Sequence, residues 1–101
     1  MKRLKIGSLS LQNSCCLAPM AGITDLAFRL TVRPFGCALC LTEMVSADGL
    51  GRGMEKSLVY LRSSPLDRPL GVQIFGSEPS TLAGAAKIAA EKGADLVDIN
   101  M

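Results

Sequence analysis

Four polar side chains stand where apolar runs end: Glu43 after Leu39-Cys40-Leu41, Gln73 within Leu70–Phe75, and Asp98 and Asn100 within Leu96–Asn100. Carboxylates and amides at such places can hydrogen-bond a ligand or bridge neighbouring strands. The runs Gly71-Val72-Gln73-Ile74-Phe75-Gly76 and Leu96-Val97-Asp98-Ile99-Asn100 are too apolar throughout for one-sided strands, and read as parallel strands covered on both faces. An unpaired amide buried there costs roughly 1–3 kcal/mol, and a carboxylate more, so each of these groups needs a partner. At the carboxyl ends of parallel strands that partner is usually a ligand. On the residues alone, Gln73 reads equally as a structural amide and as a ligand contact. Glu43 reads equally as lining a site mouth and as pairing with a barrel lysine, and Asp98 reads as an anchor between strand ends.

The other chemistry-bearing residues are four cysteines. Cys37 and Cys40 have C-x-x-C spacing, but Cys15 and Cys16 are adjacent and cannot supply the second pair of a tetrahedral zinc site. All four are expected to behave as small buried apolar residues, with neither a metal nor a disulfide. Histidine is absent, which removes imidazole catalysis and most metal sites from this stretch.

These residues must be positioned by elements that alternate between strand and helix. Leu4 to Leu11 alternates around Gly7-Ser8 as a small hairpin would. Strands are expected over Cys15–Met20, Ala38–Val45, Leu70–Phe75 and Leu96–Asn100. Between them come a helix over Leu26–Arg33 with Thr24 as N-cap and Asp25 in its first turn, a Gly-rich loop over 46–53, a short helix over Met54–Leu61, and a helix with Ser77 as cap, Pro79 in the first turn and Gly93 at its close. Arg29 is expected on the exposed face of the first helix. This βα order fits a doubly wound sheet or a (β/α)8 barrel. The first turn, Pro19-Met20-Ala21-Gly22-Ile23-Thr24, lacks the G-x-G-x-x-G of a Rossmann start, which favours the barrel. A complete barrel takes about 250 residues, so the fold class is α/β, the amino-terminal half of a (β/α)8 TIM barrel preceded by a short β-hairpin.

Of the 101 residues, 49% are hydrophobic and 20% charged, the makeup of one soluble globular unit. The net charge of +2, with Lys2, Arg3 and Lys5 at the start, neither demands nor excludes nucleic acid. With four aromatic residues there is no interleaved platform for single strands. No apolar stretch approaches the ~20 residues of a membrane span or forms a signal peptide, so the chain reads as cytoplasmic.

Leu17-Ala18-Pro19-Met20-Ala21-Gly22-Ile23-Thr24-Asp25, Phe28-Arg29, Thr42-Glu43-Met44-Val45-Ser46-Ala47, Val72-Gln73-Ile74-Phe75-Gly76 and Asp98-Ile99-Asn100-Met101 resemble the tRNA-dihydrouridine synthase family in order and spacing. The similarity covers nearly the whole chain and points to the bacterial B-type members. Ala-Pro-Met alone also opens other flavin barrels, but five segments in register are specific.

The resemblance implies an enzyme that uses flavin mononucleotide (FMN), takes electrons from NADPH and reduces the C5=C6 bond of uridine in tRNA to 5,6-dihydrouridine. It implies that Pro19, Met20 and Ala21 pack on the isoalloxazine ring, that Gln73 hydrogen-bonds the flavin, and that Asn100 sits beside the substrate uracil. It implies no metal and leaves the oligomeric state open. The family's general acid is a cysteine in Gly-Cys-Pro, expected as the second residue beyond Met101, so no catalytic residue is expected within the chain. The remaining barrel, its phosphate-binding loops and the helical tRNA-binding domain are likewise expected downstream. The 101-residue stretch alone is expected to be inactive. Two further readings are an FMN barrel acting on a free pyrimidine, similar to dihydroorotate dehydrogenase, and a non-catalytic half barrel that covers its open edges by self-association.

Overall fold

A computed structural model describes residues 3–101, so Lys2 of the basic start lies outside the described residues. The chain opens with the expected hairpin. Strands β1 (Leu4–Ile6) and β2 (Leu9–Leu11) pair antiparallel, with Leu4 opposite Leu11, around Gly7 at φ +57°. Leu11 is buried in a cluster with Ala38 and Leu39, against which Leu9 and Leu96 pack, so the hairpin closes the amino-terminal end of the sheet that follows.

That sheet is parallel throughout. It contains β3 (Cys16–Leu17), β4 (Leu39–Leu41), β5 (Val45–Ser46), β6 (Leu70–Phe75) and β7 (Leu96–Ile99). β4 and β5 lie successively along one edge of β6 and β7 along the other, because Gly71 pairs with both Leu41 and Leu96 and Ile74 with both Val45 and Ile99. In spatial order the strands follow the chain, as in the amino-terminal half of a (β/α)8 barrel.

One expected strand is broken. Leu41 pairs with Gly71 but Val45 with Ile74, so one extra residue is accommodated over 42–44 and the register slips. This is a β-bulge, which inverts the alternation of side chains and re-aims those within it. Val45 consequently joins Ile74 in the core on the helix side of the sheet. Strand one is also shorter than expected. Only Cys16 and Leu17 pair with β4, and from Met20 onwards the backbone bonds to its own turn instead.

The helices are α1 (Leu26–Val32), α2 (Ala47–Gly51), α3 (Glu55–Leu58) and α4 (Pro79–Glu91), with 3-10 turns over Arg33–Phe35 and Val59–Leu61. Leu70, Val72 and Ile74 bury one face of β6 against Ala85 and Ala89 of α4 and Ala47 and Leu50 of α2. The small alanines let α4 lie close to the sheet.

Three expectations about helix starts are corrected. Asp25, not Thr24, caps α1 by accepting the Phe28 N–H at 2.8 Å, because the Thr24 hydroxyl is engaged by Met20. Ser77 does not cap α4, whose cap position is Glu78 without a side-chain bond. The expected loop over 46–53 contains α2, capped by the Ser46 hydroxyl accepting from Gly49 N at 3.1 Å. Gly49 serves packing there, since a Cβ on it would overlap the Ser57 hydroxyl, while Gly53 turns the chain at φ +68°.

Candidate functional site

The β6–β7 register sets Gln73 opposite Asp98. Gln73 Nε2 donates to Asp98 Oδ2 at 2.7 Å, and Asn100 Nδ2 approaches Gln73 Oε1 at 3.5 Å, the outer limit of a hydrogen bond. Gln73 is 8% exposed, Asp98 half-buried and Asn100 exposed. An ionised carboxylate accepts only, so the amide must turn its nitrogen to Asp98 and its carbonyl away. The Gln73 N–H donates to Thr42 Oγ1 at 3.2 Å, and that hydroxyl donates to the Glu43 carbonyl at 2.8 Å. The bulge therefore supplies a side-chain link between neighbouring strands where the ladder is interrupted.

Beneath this polar row lies an apolar one. A Cβ on Gly71 would overlap Leu41 Cδ2 and stand 2.9 Å from Leu96 Cδ1. Leu41 and Leu96 thus close over Gly71 two residues before Gln73, forming a floor that only glycine at this position permits.

The turn after β3 carries Pro19 and Met20, both half-buried, and Ala21, which is exposed. Met20 O accepts from Ile23 N and Thr24 N at 3.0 Å each, and Met20 N donates to Thr24 Oγ1 at 3.1 Å. Gly22, at φ +76°, donates its N–H to Glu43 Oε1. Arg29 Nη1 donates to Thr24 O at 2.7 Å. Of the two readings of Glu43, pairing with a lysine does not occur among the described residues. The carboxylate instead fastens the Met20–Thr24 turn to the bulge of the next strand.

Arg29 is the clearest residue that sequence reasoning misplaced. It is 1% exposed, not on the exposed face. Its Nε and Nη2 donate to Asp67 Oδ2 at 3.0 and 2.9 Å, and Nη2 also reaches Arg62 O at 2.9 Å. Arg33 Nε donates to the other Asp67 oxygen at 2.8 Å, and Ser63 Oγ to Asp67 Oδ2 at 3.2 Å. This buried cluster ties α1 to the segment entering β6. The spacing of Arg29 and Arg33, one helical turn apart, was its only local signal.

The cysteines are also corrected. Cys15 and Cys16 are exposed, because β3 is an edge strand among the described residues. Cys37 is half-buried and Cys40 buried, with their sulfurs 3.6 Å apart. Burial foremost, then the hydrogen bond with Cys37, pushes the Cys40 thiol up to about 12, against the opposing pull of Arg33.

Among the described residues no three or more His, Cys, Asp or Glu side chains group as a metal site, and no helix is long and apolar enough to cross a membrane. A cleft of about 460 Å³ lies between α1 and the Val59–Leu61 turn and includes Glu43 but none of Pro19, Met20, Ala21, Gln73 or Asn100. The candidate residues instead share the carboxyl ends of the strands, where function in this architecture is carried by side chains from successive strands.

A model of the family described as dihydrouridine synthase matches residues 16–101. The chain belongs to the dihydrouridine synthase family. It is 42% identical over 98 residues to tRNA-dihydrouridine synthase B of Xanthomonas axonopodis pv. citri, covering 97% of this chain and 30% of that protein. It is 42% identical over 101 residues to tRNA-dihydrouridine synthase B of Pseudomonas aeruginosa, covering 100% and 30%. A probable tRNA-dihydrouridine synthase of Rhizobium leguminosarum bv. phaseoli is 44% identical over 93 residues, covering 92% and 29%. The chain spans about 30% of the length of these dihydrouridine synthase relatives, and its matched span begins at β3, the first strand of the parallel sheet.

Proposed function

We propose that the full-length protein carrying this chain is an FMN-dependent, NADPH-driven oxidoreductase that reduces the C5=C6 bond of uridine in tRNA. The observation that carries this reading is the Gln73 amide, held in one orientation at the same strand ends that present the Met20 turn. The residues present fit a flavin ring. Its edge alternates carbonyls and an N–H, and the Gln73 amide retains one N–H and its carbonyl beyond the bond to Asp98. Pro19 and Met20 offer an apolar wall for a ring face, anchored by Thr24 and Glu43.

When bound, the flavin supplies hydride chemistry. Pro19, Met20 and Ala21 bind its ring, Gln73 orients its edge, and Asn100, exposed beside Gln73, contacts the uracil. The proton at C5 is assigned to a cysteine outside this chain, and the phosphate site and tRNA-binding surface to further sequence, in keeping with the greater length of the relatives. Such an enzyme works in the cytoplasm, where tRNA and NADPH are found.

The test is to incubate full-length protein with NADPH and either unmodified tRNA or free pyrimidines, and to follow products by mass spectrometry. A nucleoside two hydrogens heavier than uridine, formed in tRNA only, is expected. Reduction of free pyrimidine with tRNA untouched would refute the tRNA assignment.

A further inference from the structure

We infer that Asp98 is a positioning residue that sets the hydrogen-bonding polarity of both Gln73 and Asn100. The inference deepens the proposed function and rests on its placing of Gln73 at the flavin edge and Asn100 at the uracil. Asp98 stands opposite Gln73 in register and takes one of its N–H groups at 2.7 Å. A neutral amide can turn either way, and among the described residues the hydrogen-bond partners of the Gln73 side chain are Asp98 and Asn100, of which Asn100 is itself an amide. The carboxylate is the one group in the row that can only accept. It therefore turns the Gln73 nitrogen inward and its carbonyl outward, which in turn draws the Asn100 nitrogen towards Gln73 and leaves the Asn100 carbonyl for a ligand.

The consequence is a specificity rule. The Asn100 carbonyl is left free and the Gln73 carbonyl keeps a second lone pair beyond Asn100, so each amide offers an acceptor, and the complementary ligand feature is a ring N–H flanked by carbonyls. The imide edges of an isoalloxazine and of a uracil both have this pattern. A cytosine-like edge, with an acceptor nitrogen at that place, faces the Asn100 acceptor and is rejected.

The experiment compares flavin affinity of the full-length protein for Asp98→Asn, Gln73→Ala and the double variant, with the thermal midpoint of each apoprotein as control. Asp98→Asn keeps the shape but lets the pair point either way. An affinity loss of about ten-fold is expected, the scale of one well-made hydrogen bond. The double variant should be no weaker than Gln73→Ala alone, since Asp98 acts through Gln73. Gln73→Glu alone should bind poorly, with two carboxylates facing each other. Combined with Asp98→Asn it should regain affinity, because the new amide at 98 donates to the new carboxylate at 73 and an acceptor again points outward. Unchanged affinity in Asp98→Asn, additive losses in the double variant, or no recovery in the swapped pair would overturn the inference.

A wild-type protein that binds no flavin would refute the proposed function instead. The inference is then decided by the Gln73 side-chain N–H resonances in the apoprotein. One proton should be shifted by Asp98 in wild type and lose that shift in Asp98→Asn. Identical resonances in the two proteins would refute it.

Discussion

Replacing Arg29 by methionine removes four donated hydrogen bonds from a site only 1% exposed. Methionine fills a similar volume, so the loss is mainly polar. Asp67, itself fully buried, keeps Arg33 and Ser63 but loses two of its bonds, while Thr24 O and Arg62 O lose the guanidinium. Breaking a buried pair by deleting one partner costs about 3–5 kcal/mol, and the surviving Arg33 contact places this case near the lower figure. At roughly 2–4 °C per kcal/mol for a larger domain, the thermal midpoint of the full-length protein should fall by about 6–12 °C. Arg29→Lys keeps the charge but not the fork, and should recover less than half of this. Calorimetry or circular dichroism on the three proteins reads the effect. A midpoint lowered by less than about 2 °C in Arg29→Met, or full recovery with lysine, would refute the view that the fork bridges α1 to the β6 entry.

Gly71→Ala should cost about 1–3 kcal/mol by overpacking against Leu41 and Leu96, seen as a lower urea midpoint at unchanged slope. Glu43→Ala should release the Gly22 N–H and accelerate its hydrogen exchange by about ten-fold, the scale of a lost hydrogen bond to a charged group, with little change in global stability. With its thiol pushed up to about 12, Cys40 carries about one thiolate in ten thousand at pH 8. Alkylation mapped by mass spectrometry should therefore label exposed Cys15 and Cys16 and spare Cys40 until the protein unfolds or the pH approaches 12.

What was legible in the sequence was what hydrophobic period and turn residues encode locally. The hairpin, the mostly apolar β6 and β7, and the length of α4 follow from patterns within each segment. The Gln73–Asp98 pairing was half legible, because shared alternation put polar groups on one face while the register remained unknown. The bulge over 42–44 was not legible: no glycine or proline marks it, and only pairing with β6 shows the extra residue. Arg29 failed for the same reason, since its partner Asp67 lies 38 residues away and helical spacing alone assigned it to solvent. The stretch over 46–53 misled through its three glycines, of which Gly49 allows close packing of a helix turn and Gly51 is simply its last residue.

The most direct measurement of the central claim is a crystal structure of the full-length protein loaded with FMN. Gln73 Oε1 should lie within about 3 Å of a ring nitrogen, with the Asp98 bond intact and Met20 against the ring face. A flavin ring seated elsewhere, for example in the cleft between α1 and the Val59–Leu61 turn, with Gln73 still bonded only to Asp98 and Asn100, would contradict it.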